Sequence, residues 1–381
     1  MERVTGFRVI STKRAQGEKG MRFAKERLVR RFFETSVPLL VLFAGFSGEI
    51  SVGRPSEASA LAIRLVTDEA DAVLSILDKL GAGQPVAAKD WDRLFTAEGY
   101  VRLKKREESL KRSFQDAEFR DFVLSVELRA RKDRLADALG RWKRADLRAA
   151  ASRALAYLPA GTVIRAKVYP VIKPKTNSFV FDLQTDPAIF LYLDPDMNSA
   201  RFENTVAHEL HHIGLGAACL PVYEGEEFKK KPAEVRAVLE WIGAFGEGVA
   251  MLAAAGGPDI HPHAVSPALD RERWDKDMAS FNSDLKKVER FFLDILDGRL
   301  KGEEAIREAG FAFFGIQGAW YTVGWKMAVL IEKTFGRAKL IDCLCDSAAL
   351  LASYNRAAAE QNVETREKQV TWSPDLLKRL E

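Results

Sequence analysis

Residues 205–216, TVAHELHHIGLG, hold three of the five histidines in the chain. His208 and His212 stand one helical turn apart, with Glu209 beside the first. On a helix of 3.6 residues per turn, Phe202, Val206, Leu210 and Ile213 form one apolar stripe, and His208 and His212 lie roughly opposite. His211 points well away from that pair. Two imidazoles at i and i+4 can close on one Zn²⁺ at about 2.0–2.1 Å, the H-E-x-x-H arrangement. Glu209 then sits beside the open coordination position, where its carboxylate can take a proton from water and return it to a leaving amine. The competing readings are a surface histidine pair or a structural metal site, neither of which has a use for the glutamate.

A catalytic zinc normally has three protein ligands and a water, so one more must come from elsewhere in the chain. In AEVRAVLEWIGAFGEGVAMLAAAG, residues 233–256, the apolar spacing predicts a long, largely buried helix with Glu247 in its apolar half. A lone buried carboxylate is costly without a cation, and Gly246 and Gly248 leave room for another helix to approach. Glu240, seven residues earlier, shares that face and is the rival ligand, or an outer partner of a ligating histidine. His261 and His263, in the loop DIHPHAVSP, are next in line. Leu215 and Ala218 stand where a metzincin would carry Gly and His, which excludes that class.

His208, Glu209 and His212 with the later GEGVA resemble the gluzincin metallopeptidases, in which an EGxA-type helix supplies the third zinc ligand. The resemblance implies His208, His212 and Glu247 as zinc ligands and Glu209 as general base and acid. The segment is similar to the NEGFA of zinc aminopeptidases. Here, however, 34 residues separate His212 from Glu247, more than in those enzymes, and their substrate motif rich in Gly, Met and Asn is missing. Across residues 91–359, HELHHIG, EGVAML, YTVGWKMA and SYNRAA in this order resemble a little-characterised bacterial family described as zinc-dependent peptidases. Gluzincins commonly stabilise the developing oxyanion with a tyrosine or histidine on a later helix. That implies Tyr321, in IQGAWYTVGWKMAVLIEK, with Tyr354 as the alternative. Gly318 and Gly324, three residues to either side, would keep the surroundings of Tyr321 open. A core aromatic tied by one hydrogen bond is the other reading of Tyr321.

The elements that must position these residues follow from periodicity. Residues 55–158, rich in Ala, Leu, Arg, Lys and Glu at helical spacing, predict an all-helical region. β-Branched and aromatic runs punctuated by Pro, Gly, Asn and Asp predict three strands over 162–172, 178–183 and 188–194. Asn198 and Ser199 suit a helix cap, and helical patterns continue nearly to the C-terminus. The fold class is α+β, predominantly helical, with a small sheet and a zincin-like catalytic domain built on the histidine helix. The expected division is an N-terminal extension over 1–54, a helical region over 55–158 and a metallopeptidase region over 159–381. The strand 188–194, just before the histidine helix, is placed like the edge strand bounding a zincin cleft, where an extended peptide could pair.

A chain of 381 residues with 58 basic and 54 acidic side chains is nearly balanced, and its short lysine runs sit beside acids. This points to a peptide or protein substrate and away from nucleic acid. Residues 21–53 pair a basic stretch with an apolar run over 37–46 and then small and polar residues, the layout of a secretory signal or short membrane anchor. The location expected is extracytoplasmic, whether secreted, periplasmic or membrane-anchored, and the alternative is a buried hydrophobic segment of a cytoplasmic protein. Met21 is an alternative start. Of three cysteines, Cys343 and Cys345 are too close for an easy mutual bridge. They read mostly as buried thiols, with one pairing to Cys219 left open. The function expected is a Zn²⁺-dependent hydrolase that cleaves peptide bonds. Its rivals are a non-catalytic zinc-stabilised binding or cell-envelope protein of the same fold, and a hydrolase acting on another amide.

Overall fold

The computed structural model describes residues 60–364 and 368–381. The expected extension over 1–54, with its apolar run, lies outside them. A four-stranded mixed sheet carries β1 (Leu61–Leu65), β2 (Ile164–Val171), β3 (Phe179–Phe181) and β4 (Ala188–Tyr192) in the order β1-β2-β4-β3. β1, β2 and β4 are parallel, with Leu61 opposite Ile164 and Lys167 opposite Ala188, whereas β3 runs antiparallel to β4. The crossover from β1 to β2 contains α1 (Asp68–Gly81), α2 (Glu98–Ser109), α3 (Lys132–Lys143) and α4 (Leu147–Leu155).

Both faces of the sheet are covered, which is where parallel strands persist. Ile164, Ala166 and Val168 of β2, with Ile189 and Leu191 of β4, join a core made with the crossover helices. The alternate residues Tyr169, Val171, Ala188 and Phe190 face the opposite side with Leu103 and Phe179. The period-2 alternation thus sends the apolar strand residues to one of two cores, while Ala62, Arg64 and Arg165 are exposed.

Two expectations need correction. The stretch over 55–158 is not wholly helical, because Leu61–Leu65 pairs in parallel with β2. Its composition favours helix, but strand formation depends on the neighbour available, and β2 offers an edge. The strand before the histidine helix is also not at the edge. β3 folds back and takes the outer side of β4, so β1 and β3 form the sheet's margins.

After β4 the chain enters α5 (Ser199–Tyr223), where Asn198 caps the first turn by accepting from the Arg201 N–H at 2.8 Å. Phe202, Val206, Leu210 and Ile213 of α5 enter the core beneath the sheet. The helix α6 (Ala233–Ile242) is followed by a 3₁₀ turn over Gly243–Phe245 and then α7 (Gly246–Ala255). Ala233–Ala255 together would be long and apolar enough to span a membrane, but most of it is buried in the protein. Beyond it come α8 (Ala268–Met278), α9 (Phe281–Leu296), α10 (Ala319–Phe335) and α11 (Ser347–Glu364). Val249, Leu252 and Ala253 of α7 pack into a second large core with α9, α10 and α11. α7 therefore lies between the two cores, against α5 on one side and α10 on the other.

The approach of α7 to α10 is set by glycine. A Cβ at Gly248 would overlap the backbone of Gly324 and Trp325 and lie 2.6 Å from the Tyr321 carbonyl oxygen. A Cβ at Gly324 would lie 2.5 Å from the Phe245 carbonyl oxygen. The obstructing atoms are backbone and cannot rotate aside, so the helices would have to separate. Gly248→Ala is expected to destabilise the fold by about 1–3 kcal/mol, whereas Gly246→Ala, whose Cβ would meet only Leu215 at 3.5 Å, should cost far less. Urea unfolding midpoints of the two variants check this, and equal midpoints would refute it. Gly324 therefore serves helix packing and does not hold a cleft open around Tyr321.

Cys219, late in α5, forms a disulfide with Cys345, just before α11, while Cys343 is a buried free thiol. The bridge ties the histidine helix to the C-terminal helices across 126 positions of sequence. It settles the open pairing and corrects the reading of Cys219 and Cys345 as thiols.

Candidate metal centre

The polar face of α5 presents His208 and His212 half-buried. The first turn of α7 brings Glu247, only 7% exposed, against them. The two Nε2 atoms lie 3.0 Å apart, and each is 3.1 Å from the same Glu247 Oε2. These three residues form the one His/Cys/Asp/Glu cluster suited to a metal among the described residues.

Their chemistry is that of a zinc donor set. A single proton can satisfy one nitrogen–nitrogen contact, but here two imidazole lone-pair positions and a carboxylate oxygen converge on one point. A cation at that point serves all three. Tetrahedral zinc with bonds of about 2.0–2.1 Å has ligand–ligand edges of about 3.3–3.4 Å, so a few tenths of an ångström of opening is all the cluster requires. Three ligands also leave a position for water or substrate.

The electrostatics agree with this reading. Burial works to raise the Glu247 carboxyl, but the charge of His212 and hydrogen bonds from both histidines hold it below the usual range. Burial alone would push His212 down, yet Glu247 overrides it and raises the imidazole. Glu209 is half-buried, and its carboxyl is raised by loss of hydration against the pull of His208 and His212. Its carboxylate makes no hydrogen bond or ion pair among the described residues.

The other sequence candidates fall elsewhere. His211 is fully buried, 3.3 Å by its Nε2 from the Tyr157 carbonyl oxygen, and burial pushes it down to about 3. Glu240 is exposed on α6. His261 pairs with Asp275 at 3.0 Å. His263 contacts Ser266 at 3.1 Å and Gln317 at 2.9 Å, outside the cluster. Tyr354 is buried and donates to the Val370 carbonyl at 2.6 Å, a core role. Tyr321, in the first turn of α10, lies beside the site, with its ring 6.5 Å from that of His208 and nearly parallel to it.

His208 and Tyr321 are among the residues that line a cavity of about 260 Å³, together with Arg201, Asn204 and Thr205 of α5, Trp274 of α8 and residues 314–317 before α10. Sequence reasoning missed this feature. Its signal was present in the spacing of Arg201, Asn204, Thr205 and His208, which places all four on one helical face. The walls from α8 and residues 314–317 are set by tertiary packing alone.

No curated protein and no solved structure matches the chain. Residues 91–363 match a family model described as "Putative zinc dependent peptidase (DUF5700)", a span that contains α5, α7 and α10. The description carries zinc as the cofactor and peptides or proteins as the substrates. On that match over most of its length, the chain belongs to this zinc-dependent peptidase family.

Proposed function

We propose that the chain is a gluzincin-type metallopeptidase with a zincin-like fold, in which His208, His212 and Glu247 hold Zn²⁺ and Glu209 is the general base and acid. The observation that carries this reading is the convergence of three donor atoms at 3.0–3.1 Å on two packed helices, with the carboxylate of Glu209, adjacent in sequence, unpaired among the described residues. Zinc held there supplies Lewis acidity that makes water nucleophilic near neutral pH. Glu209 accepts the proton of the attacking water and returns it to the amine as the peptide bond breaks. Its raised affinity for protons suits both halves of that transfer. Tyr321, whose ring lies 6.5 Å from that of His208, donates its phenolic hydrogen to the developing oxyanion. A structural site would be closed by a fourth protein ligand, and among the described residues three converge.

Purified protein is expected to carry about one zinc per chain and to cut members of a mixed peptide library, with cutting lost on chelation and restored by zinc. Full zinc loading with no cleavage of any peptide would instead favour the non-catalytic, zinc-stabilised protein.

We also propose an extracytoplasmic location, through a signal or membrane anchor in the N-terminal extension. The Cys219–Cys345 bridge supports this, since structural disulfides persist in oxidising compartments. Native protein should then begin after residue 46 or fractionate with membranes. Soluble cytoplasmic protein with an intact N-terminus would refute the proposal. The mostly helical stretch over 55–158 is proposed as the wall of the catalytic region, to which its strand β1 joins it through the shared sheet.

A further inference from the structure

The cavity beside His208 has a definite chemical character. Met251 of α7, Trp274 of α8, Phe314, Ile316 and Tyr321 make apolar walls. The charged side chains among its lining, Arg201 and Asp270, face each other at 3.5 Å and offset one another. Arg273 adds a longer contact to Asp270 at 3.8 Å. Gln317, 8% exposed, is also among the lining residues. Its amide nitrogen donates to His263 Nε2 at 2.9 Å and to the Asp270 carbonyl at 3.3 Å. This tautomer of His263 leaves Nδ1–H to donate to Ser266 Oγ. Reversing the amide would set its oxygen against the Asp270 carbonyl, so the orientation is fixed by its partners. The remaining atom, Gln317 Oε1, is buried without a hydrogen-bond partner among the described residues.

A buried acceptor left unpaired costs free energy that a ligand donor recovers. Apolar walls favour a ring or long hydrocarbon, and the offset charges favour a neutral group. We propose that this cavity is the specificity pocket of the peptidase and that it selects a neutral aromatic side chain bearing a hydrogen-bond donor, tyrosine or tryptophan, through Gln317 Oε1. The assignment rests on the proposed peptidase activity, since His208 of the cluster is itself among the residues that line the pocket. The recognition itself needs no turnover and can be measured alone. Gln317 is a specificity-determining residue in this scheme and has no part in the metal cluster.

The test uses blocked amino-acid amides and the full chain, with binding followed by NMR titration in zinc-loaded and chelated protein. N-acetyl-tyrosinamide should bind about 5-fold more tightly than N-acetyl-phenylalaninamide, the effect of one hydrogen bond to a buried acceptor, and N-acetyl-lysinamide should bind most weakly. Gln317→Leu should erase the difference between tyrosine and phenylalanine. Met251→Trp, which fills the cavity from α7, should abolish binding of every aromatic amide, and it keeps the proposal testable where Gln317→Leu does not fold. Equal affinity for the tyrosine and phenylalanine amides in the unaltered protein would overturn the assignment. So would a difference that survives in Gln317→Leu, or aromatic binding untouched by Met251→Trp. A peptide digest separates the two claims. Cleavage with no preference for tyrosine or tryptophan beside the cut sinks the pocket alone, and intact amide selectivity without cleavage sinks the hydrolase alone.

Discussion

Glu209→Gln is expected to lower kcat on any cleaved peptide by about 10²–10⁴-fold while leaving bound zinc near one per chain. The amide keeps the shape of the carboxylate, and the residue lies outside the three-atom cluster, so the metal should be held as before. What disappears is an acceptor for the proton of the attacking water. Burial places the Glu209 carboxyl above its ordinary range, and no hydrogen bond among the described residues ties it down. A carboxylate so placed takes a proton readily and can still swing to deliver it. The check pairs turnover with metal content in the same preparation. Turnover near that of the unaltered enzyme would remove Glu209 from its role. A parallel loss of zinc would show that the residue supports the metal and would leave the identity of the base open.

The geometry of α5 was legible in sequence because helical periodicity is a local property. Four apolar residues at helical spacing fixed which side entered the core, and the positions of His208, His212 and His211 followed. Glu247 was legible through cost, being an acid in an apolar stretch beside Gly248, whose lack of a side chain the approach of α10 requires. Features that depend on distant partners were not. LAIRL in β1 has the composition of its helical surroundings and becomes a strand by pairing with residues about a hundred positions away. β4 lost its expected edge to β3 by a fold-back that no local pattern specifies. The partner of Cys219 was likewise decided by which loop α11 brings close. The cavity beside His208 is the extreme case, with walls drawn from α5, α7, α8 and the turn before α10.

Glu240 shows how a small local departure decides a ligand. In one uninterrupted helix, seven residues return to nearly the same face, and Glu240 and Glu247 would be interchangeable. The 3₁₀ turn over Gly243–Phe245 breaks that equivalence. Three residues at about 3.0 per turn, in place of 3.6, add roughly 60°, which turns the ordinary offset of about −20° over seven residues into about +40°, and the two carboxylates also stand about two turns apart along the axis. Glu240 is left exposed on α6, where partial burial and Glu303 raise its carboxyl against the pull of Arg236. Glu247 is enclosed against both histidines. Glu247→Gln is therefore expected to weaken zinc binding by more than the roughly 10- to 100-fold typical of losing an outer partner, since it removes both a charge and a direct donor. Glu240→Gln should leave zinc affinity within error of the unaltered protein. Competitive chelator titration of the two variants, at a pH where both histidines are neutral, makes the comparison quantitative. A larger loss at Glu240 than at Glu247 would place the third ligand on α6, and unchanged affinity in both variants would remove the third ligand from these two helices altogether.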